Sequence, residues 1–96
     1  MDFLNKIIFV SKKLIMEDGK IYFDNYFVTV KAITEDALVV IKPNGEEENL
    51  PPSEDFYDEA DEGLYELDDG TSQEDPDYIG EFIIYENAVA YEKYKD

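Results

Sequence analysis

The chain has 96 residues and a mass of 11.1 kDa, one domain's worth of polypeptide with room for a single modest core. It contains no Cys, His or Trp, and its eight basic residues are all Lys; disulfides, thiolate metal sites, the commonest general base and bidentate guanidinium contacts are thereby excluded. Twenty-five Asp and Glu give a formal charge of −17, the wrong sign for direct contact with nucleic acid or an anionic membrane.

Such acidity would imply disorder if apolar residues were scarce. The apolar fraction is 44% and aromatics reach 15%, near the composition of folded domains. The predicted elements begin with residues 3–15. Phe3, Leu4, Ile7, Ile8, Ser11, Leu14 and Ile15 fit one face of a helix with Asp2 as its cap, but Ile7-Ile8-Phe9-Val10 is β-prone. Strand is the preferred reading, because Asp18-Gly19 needs Lys13–Met16 as one arm of a hairpin whose other arm is Ile21-Tyr22-Phe23. Tyr26–Ile33 is dense in β-branched and aromatic residues, and Thr34-Glu35-Asp36 reads as a tight turn. Leu38–Ile41 suits a strand covered on both faces, followed by a second hairpin signal, Asn44-Gly45. Both Asp-Gly and Asn-Gly predict type I′ turns. Near the end, Gly80–Tyr85 reads as a strand that Glu86-Asn87 turns back into Ala88-Val89-Ala90-Tyr91, with a short helix over 87–95 as the alternative.

Short strands with turns every 8–12 residues predict a mainly β fold: a small antiparallel sheet or an SH3-like, barrel-type single domain over 1–96, with room for one short helix. Phe3-Leu4 is interrupted by Asn5-Lys6 and no apolar run reaches signal-peptide or membrane-span length, so a cytoplasmic location is expected.

The charge is segregated. Residues 1–45 balance six acids with six Lys, whereas residues 46–77 hold fifteen acids and no Lys. Phe56, Tyr57, Leu64, Tyr65 and Leu67 punctuate this acidic segment, Tyr78 follows it directly, and Pro51-Pro52, Gly63, Gly70 and Pro76 break it into turns. Apolar anchors inside an acidic run predict a segment pinned to a core with its carboxylates outward. Extended at roughly 3.3 Å per residue, it would carry about one charge per 7 Å. Folded back once it would reach about one per 3.5 Å, close to the 3.4 Å spacing of charges along one DNA strand.

Catalytic and metal templates fail. An EF-hand loop starting at Asp58 puts Gly63 and Asp69 at the right positions but Ala60 where a ligand belongs, and one starting at Tyr65 has Leu67 there. Ser11, Ser53 and Ser72 have no His or Cys to pair with, and the five Gly are scattered singly. No enzyme activity, cofactor or metal is expected.

The expectation is instead a docking surface for a basic protein: a toxin, a nuclease or another nucleic-acid-binding protein. Its candidate contact residues are Glu54, Asp55, Tyr57, Asp58, Glu59, Asp61, Glu62, Tyr65, Glu66, Asp68 and Asp69, carboxylates for steering and tyrosines for the apolar centre. In composition the chain is similar to the immunity proteins that bacteria make against their own nuclease toxins, and to phage DNA mimics that block restriction or CRISPR systems. The first likeness implies an inhibitor that occludes a cationic active site, the second a decoy for a defence protein. A plain β-barrel interaction module with a solubilising acidic loop is the alternative of another class.

Overall fold

Residues 2–95 are described by a computed structural model, in which one turn recurs three times. In Met16–Lys20, Lys42–Glu46 and Leu67–Thr71 the fourth residue is a glycine with φ of 90°, 89° and 90°. Each glycine N–H donates to the carbonyl three residues back, at 3.0, 2.9 and 3.0 Å, and the first N–H donates to the fifth carbonyl at 2.9, 2.8 and 2.8 Å. Asp18, Asn44 and Asp69 each accept the N–H two residues on, at 3.0, 2.9 and 2.8 Å. The result is a three-residue loop whose type I turn is closed by a left-handed glycine. The type I′ expectation is corrected, since that turn needs positive φ at both central residues and Asp18 and Asn44 lack it. Pro43 fits the second turn because its ring presets the φ that a type I turn wants there.

These turns join β1 (Ile7–Ile15) to β2 (Ile21–Ile33), β3 (Leu38–Ile41) to β4 (Glu47–Leu50), and β6 (Leu64–Glu66) to β7 (Ser72–Glu74). Thr34 closes the remaining tight turn: its hydroxyl accepts the Asp36 and Ala37 N–H groups at 3.3 and 3.0 Å. A 3-10 turn (Glu54–Phe56) leads into β5 (Tyr57–Glu59), and β8 (Tyr78–Tyr85) precedes α1 (Ala88–Tyr94).

The mainly β expectation holds. The main sheet has six strands in the order β4-β3-β2-β1-β8-β5, and β6 and β7 form a separate pair. The sheet is mixed rather than wholly antiparallel, because β8 runs parallel to β1 with Ile8 opposite Tyr78 and Val10 opposite Gly80. Asp77 starts this parallel ladder: its N–H donates to the Ile7 carbonyl at 2.9 Å, and its carboxylate accepts the Ile7 N–H at 2.9 Å. Residues 3–15 contain a strand and no helix. Phe3 precedes it in the core, the chain turning at Asn5 with φ 64°.

Strand alternation puts Ile8 and Val10 of β1, Val28 and Val30 of β2, Leu38 and Val40 of β3 and Leu50 of β4 on one face. They form the core with Phe3 and with Tyr57 of β5, at the far side of the sheet from Leu50. The sheet therefore curls until its two end strands share a core, and the Tyr57 hydroxyl reaches across to the Pro51 carbonyl at 2.6 Å. Only one face of β3 is fully buried, since Val39 and Ile41 are half-exposed; the covered-on-both-faces reading is corrected.

The proposed return strand at Ala88–Tyr91 is a helix instead. Asn87 caps it by accepting the Ala90 N–H at 2.9 Å, Ala90 is buried, and Tyr91 packs edge-to-face on Tyr85 at 5.2 Å. No helix among the described residues is long and apolar enough to cross a membrane.

Candidate functional site

The acidic segment is built into the fold. From Glu54 it forms the 3-10 turn, edge strand β5 and the β6–β7 hairpin, whose register pairs Leu64 with Glu74, Tyr65 with Gln73 and Glu66 with Ser72. The hairpin lies on the outer face of the main sheet, where the Tyr65 ring meets Phe9 edge-on at 5.8 Å and Phe9 contacts Phe27 at 5.4 Å. The Tyr65 hydroxyl donates to the Asp61 carbonyl at 2.9 Å, closing the loop that enters the hairpin. Asp75 does the same from the other arm, its carboxylate accepting the Gly63 N–H at 2.8 Å. Pro76, buried, and Asp77 then tie the segment to β1.

The candidate contact residues divide accordingly. Glu54, Asp55, Asp58, Glu59, Asp61, Glu62, Glu66, Asp68 and Asp69 are all exposed. Tyr65 is half-buried and serves first as the hairpin's anchor. Tyr57 is corrected from a contact residue to a core residue: only 3% exposed, it packs edge-on against Phe3 at 5.1 Å. Burial pushes its hydroxyl pKa up to about 12. Tyr78 also serves the fold, meeting Phe3 at 5.1 Å, whereas Phe56 is exposed and stacks on Phe82 at 6.0 Å.

Three of the lysines are engaged away from the hairpin. Lys31 pairs with Glu47 at 2.6 Å, and Lys12 and Lys42 converge on Glu48 at 3.1 and 3.4 Å. Glu48 also accepts the Tyr26 hydroxyl, and both lysines lie over the Tyr26 ring at 5.2 and 4.8 Å. Burial would raise the Glu48 pKa, but the hydrogen bonds from Tyr26 and Lys12 and the charges of Lys12 and Lys42 hold it below the usual value. Burial, reinforced by the Glu48 carboxylate, raises the Tyr26 hydroxyl pKa. The acidic third is thus two populations. Its first three glutamates include two that are neutralised, while Asp55, Asp58, Glu59, Asp61, Glu62, Glu66, Asp68, Asp69, Glu74 and Asp75 sit in no ion pair among the described residues.

A group with a depressed folded pKa stabilises above its unfolded pKa and loses that contribution as pH falls through the folded value. Glu48→Gln should therefore cost about 1–2 kcal/mol at pH 7, the worth of charged hydrogen bonds that keep some solvent contact. The cost should shrink once the pH drops well below the ordinary value of 4.5. Urea titrations of both proteins at pH 7 and pH 3 check this.

Two concavities lined by acidic residues flank the hairpin. One, of about 380 Å³, lies between its tip and β2, lined by Phe23, Asp24 and Asn25 on one side and Glu66, Asp68 and Asp69 on the other. The second, about 360 Å³, lies at its base among Lys6, Glu59, Glu62, Asp75 and Asp77. At the tip, hydrogen bonds from Thr71 lower the Asp69 pKa, keeping that carboxyl ionised. Phe23, Asp24 and Asp75 were not among the sequence candidates; recognising Asp69-Gly70 as a third hairpin turn would have folded the segment and drawn Asp75 in. Among the described residues no group of acids is gathered in a metal-holding arrangement. No family model, curated protein or solved structure matches this chain.

Proposed function

We propose that this protein is a non-enzymatic inhibitor of the immunity type, which binds and occludes a basic, nucleic-acid-binding surface of a toxin or nuclease. The observation that carries the reading is the β6–β7 hairpin: it folds the acidic run back on itself and clamps it to the sheet through Tyr65 and Phe9. Fold-back doubles the charge per unit length over that of an extended strand, and anchoring means little chain entropy is lost on binding. A solubilising loop requires neither. Unpaired carboxylates around two concavities offer sites for lysine and arginine side chains, with long-range steering of encounter. A decoy for a nucleic-acid-binding defence protein would use the same surface and differs only in its target.

The test is inhibition of a panel of basic nucleases, measured at low and high salt, by the wild type and by a variant with Glu54, Asp55, Asp58, Glu59, Asp61, Glu62, Glu66, Asp68 and Asp69 changed to Gln or Asn. The wild type should slow at least one nuclease, and neutralisation should reduce association about 100-fold or more, about 100-fold being the smallest gap between steered and unsteered rates. Inhibition that survives neutralisation and high salt would overturn the reading. Displacement of DNA from a non-nuclease protein, with every nuclease untouched, would favour the decoy.

A further inference from the structure

The first five residues of β2, Ile21 to Asn25, are all exposed although they sit in a strand, and Phe23 is 66% exposed. The cause is topological. On its β1 side β2 is paired from Ile21 opposite Ile15 to Thr29 opposite Ile7. On the other side β3 begins only at Thr29, opposite Ile41. Val30 exchanges backbone hydrogen bonds with Lys6 and Asn5, and the Lys20 carbonyl accepts from Met16. Because strand backbone groups alternate sides, the even-numbered residues of β2 serve β1, and Ile21, Phe23 and Asn25, all exposed, aim their N–H and C=O groups outward. Among the described residues nothing pairs with them.

Natural sheets protect such an edge with lysine, proline or a bulge. Between Ile21 and Val28 there is no Lys or Pro, and the β2 bulge lies beyond, between Val30 and Ala32. The edge is open for pairing, and its surroundings select the partner. Its outer face borders the cleft walled by Glu66, Asp68 and Asp69, and Asp24 is the one charged side chain of the edge itself. A second copy would set these carboxylates against their own equivalents. An extended segment with a basic residue at every second position would place its cations beside them.

We infer that β2 takes up an extended, lysine- or arginine-alternating segment of the partner as an added strand along Ile21–Asn25, with the hairpin tip reading its charges. The inference rests on the proposed basic partner and specifies how it is held: backbone bonds supply the grip, and alternate side chains supply selectivity.

The probe is a synthetic octapeptide of alternating Lys and Val, compared with the same peptide N-methylated at every residue, which keeps the charge and removes the donors. Amide exchange should slow about tenfold or more at Ile21, Phe23 and Asn25 with the first peptide, and at none of them with the second. Phe23→Pro removes an outward N–H that β1 does not use and should abolish binding, whereas Phe23→Ala should keep it; should the proline variant not fold, the peptide pair alone decides. Equal binding of both peptides, or protection confined to the hairpin, overturns the added-strand inference while leaving the electrostatic reading intact. Absence of binding by either peptide overturns it too. So does protection of these three amides that rises with protein concentration in the absence of peptide, since a second copy would then hold the edge.

Discussion

Tyr57→Ala should cost about 3–5 kcal/mol, the range for deleting a buried aromatic ring. Total stability for a chain of this size is about 5–15 kcal/mol. Tyr57 fills the space where the curled sheet brings β5 towards β4. It touches Phe3 and Phe82 and gives the Pro51 carbonyl its hydrogen bond, so alanine leaves both a cavity and an unpaired acceptor. Tyr65→Ala should behave differently. Its ring covers Phe9 from outside the main sheet, and its loss should cost about 1 kcal/mol, comparable to one half-buried aromatic pair with its hydrogen bond. Urea denaturation ranks the two directly. With the fold retained, loss of nuclease inhibition in Tyr65→Ala would show that the hairpin must be held in place to act.

Gly80→Ala should lower stability by about 2 kcal/mol, within the usual cost of overpacking a tight site. Gly80 stands in β8 directly opposite Tyr57 and Val10. A methyl group there would meet the Tyr57 ring at 2.9 and 3.0 Å and the Phe82 ring at 3.1 Å. Neither ring has much freedom: Tyr57 is wedged against Phe3, and Phe82 lies under Phe56. The reduced freedom of the unfolded chain returns only about 0.4–1 kcal/mol. For a domain of this length the net change amounts to roughly 8–16 °C in melting temperature. Shrinking the neighbour should relieve the clash, so Gly80→Ala together with Tyr57→Leu should be less damaging than the two separate costs added.

Local chemistry was legible wherever it acts through adjacent residues. Asp18-Gly19 and Asn44-Gly45 located two hairpins from the sequence, but the dipeptide does not reveal the loop length. A third residue, Glu17 or Pro43, joins each loop and changes the turn from type I′ to type I plus a left-handed glycine. The same signal at Asp69-Gly70 was hidden inside the charge run. Ala88–Tyr91 looked like a strand by composition, yet the capping side chain of Asn87 and the packing of Tyr91 on Tyr85 favour a helix. The pairing of β1 with β8 leaves no local trace, because its residues lie 70 positions apart. For the site, the exposed carboxylates were readable from charge alone. The role of Tyr57 was not, since an aromatic in an acidic run can face either way and the curl of the sheet decides.

The parallel β1–β8 pair has a consequence for how the chain acquires its shape. Strand β1 holds a central place in the sheet, but one of its two neighbours is synthesised only after every other strand. A nascent chain that has reached β7 holds the β1–β2 hairpin with one flank of β1 bare, and Tyr57 lacks the strand it pairs with. Such long-range closure is slow, typically milliseconds to seconds, and it leaves an apolar ribbon uncovered meanwhile. The dense negative charge of the intervening segment opposes association of those incomplete chains, because like charges repel.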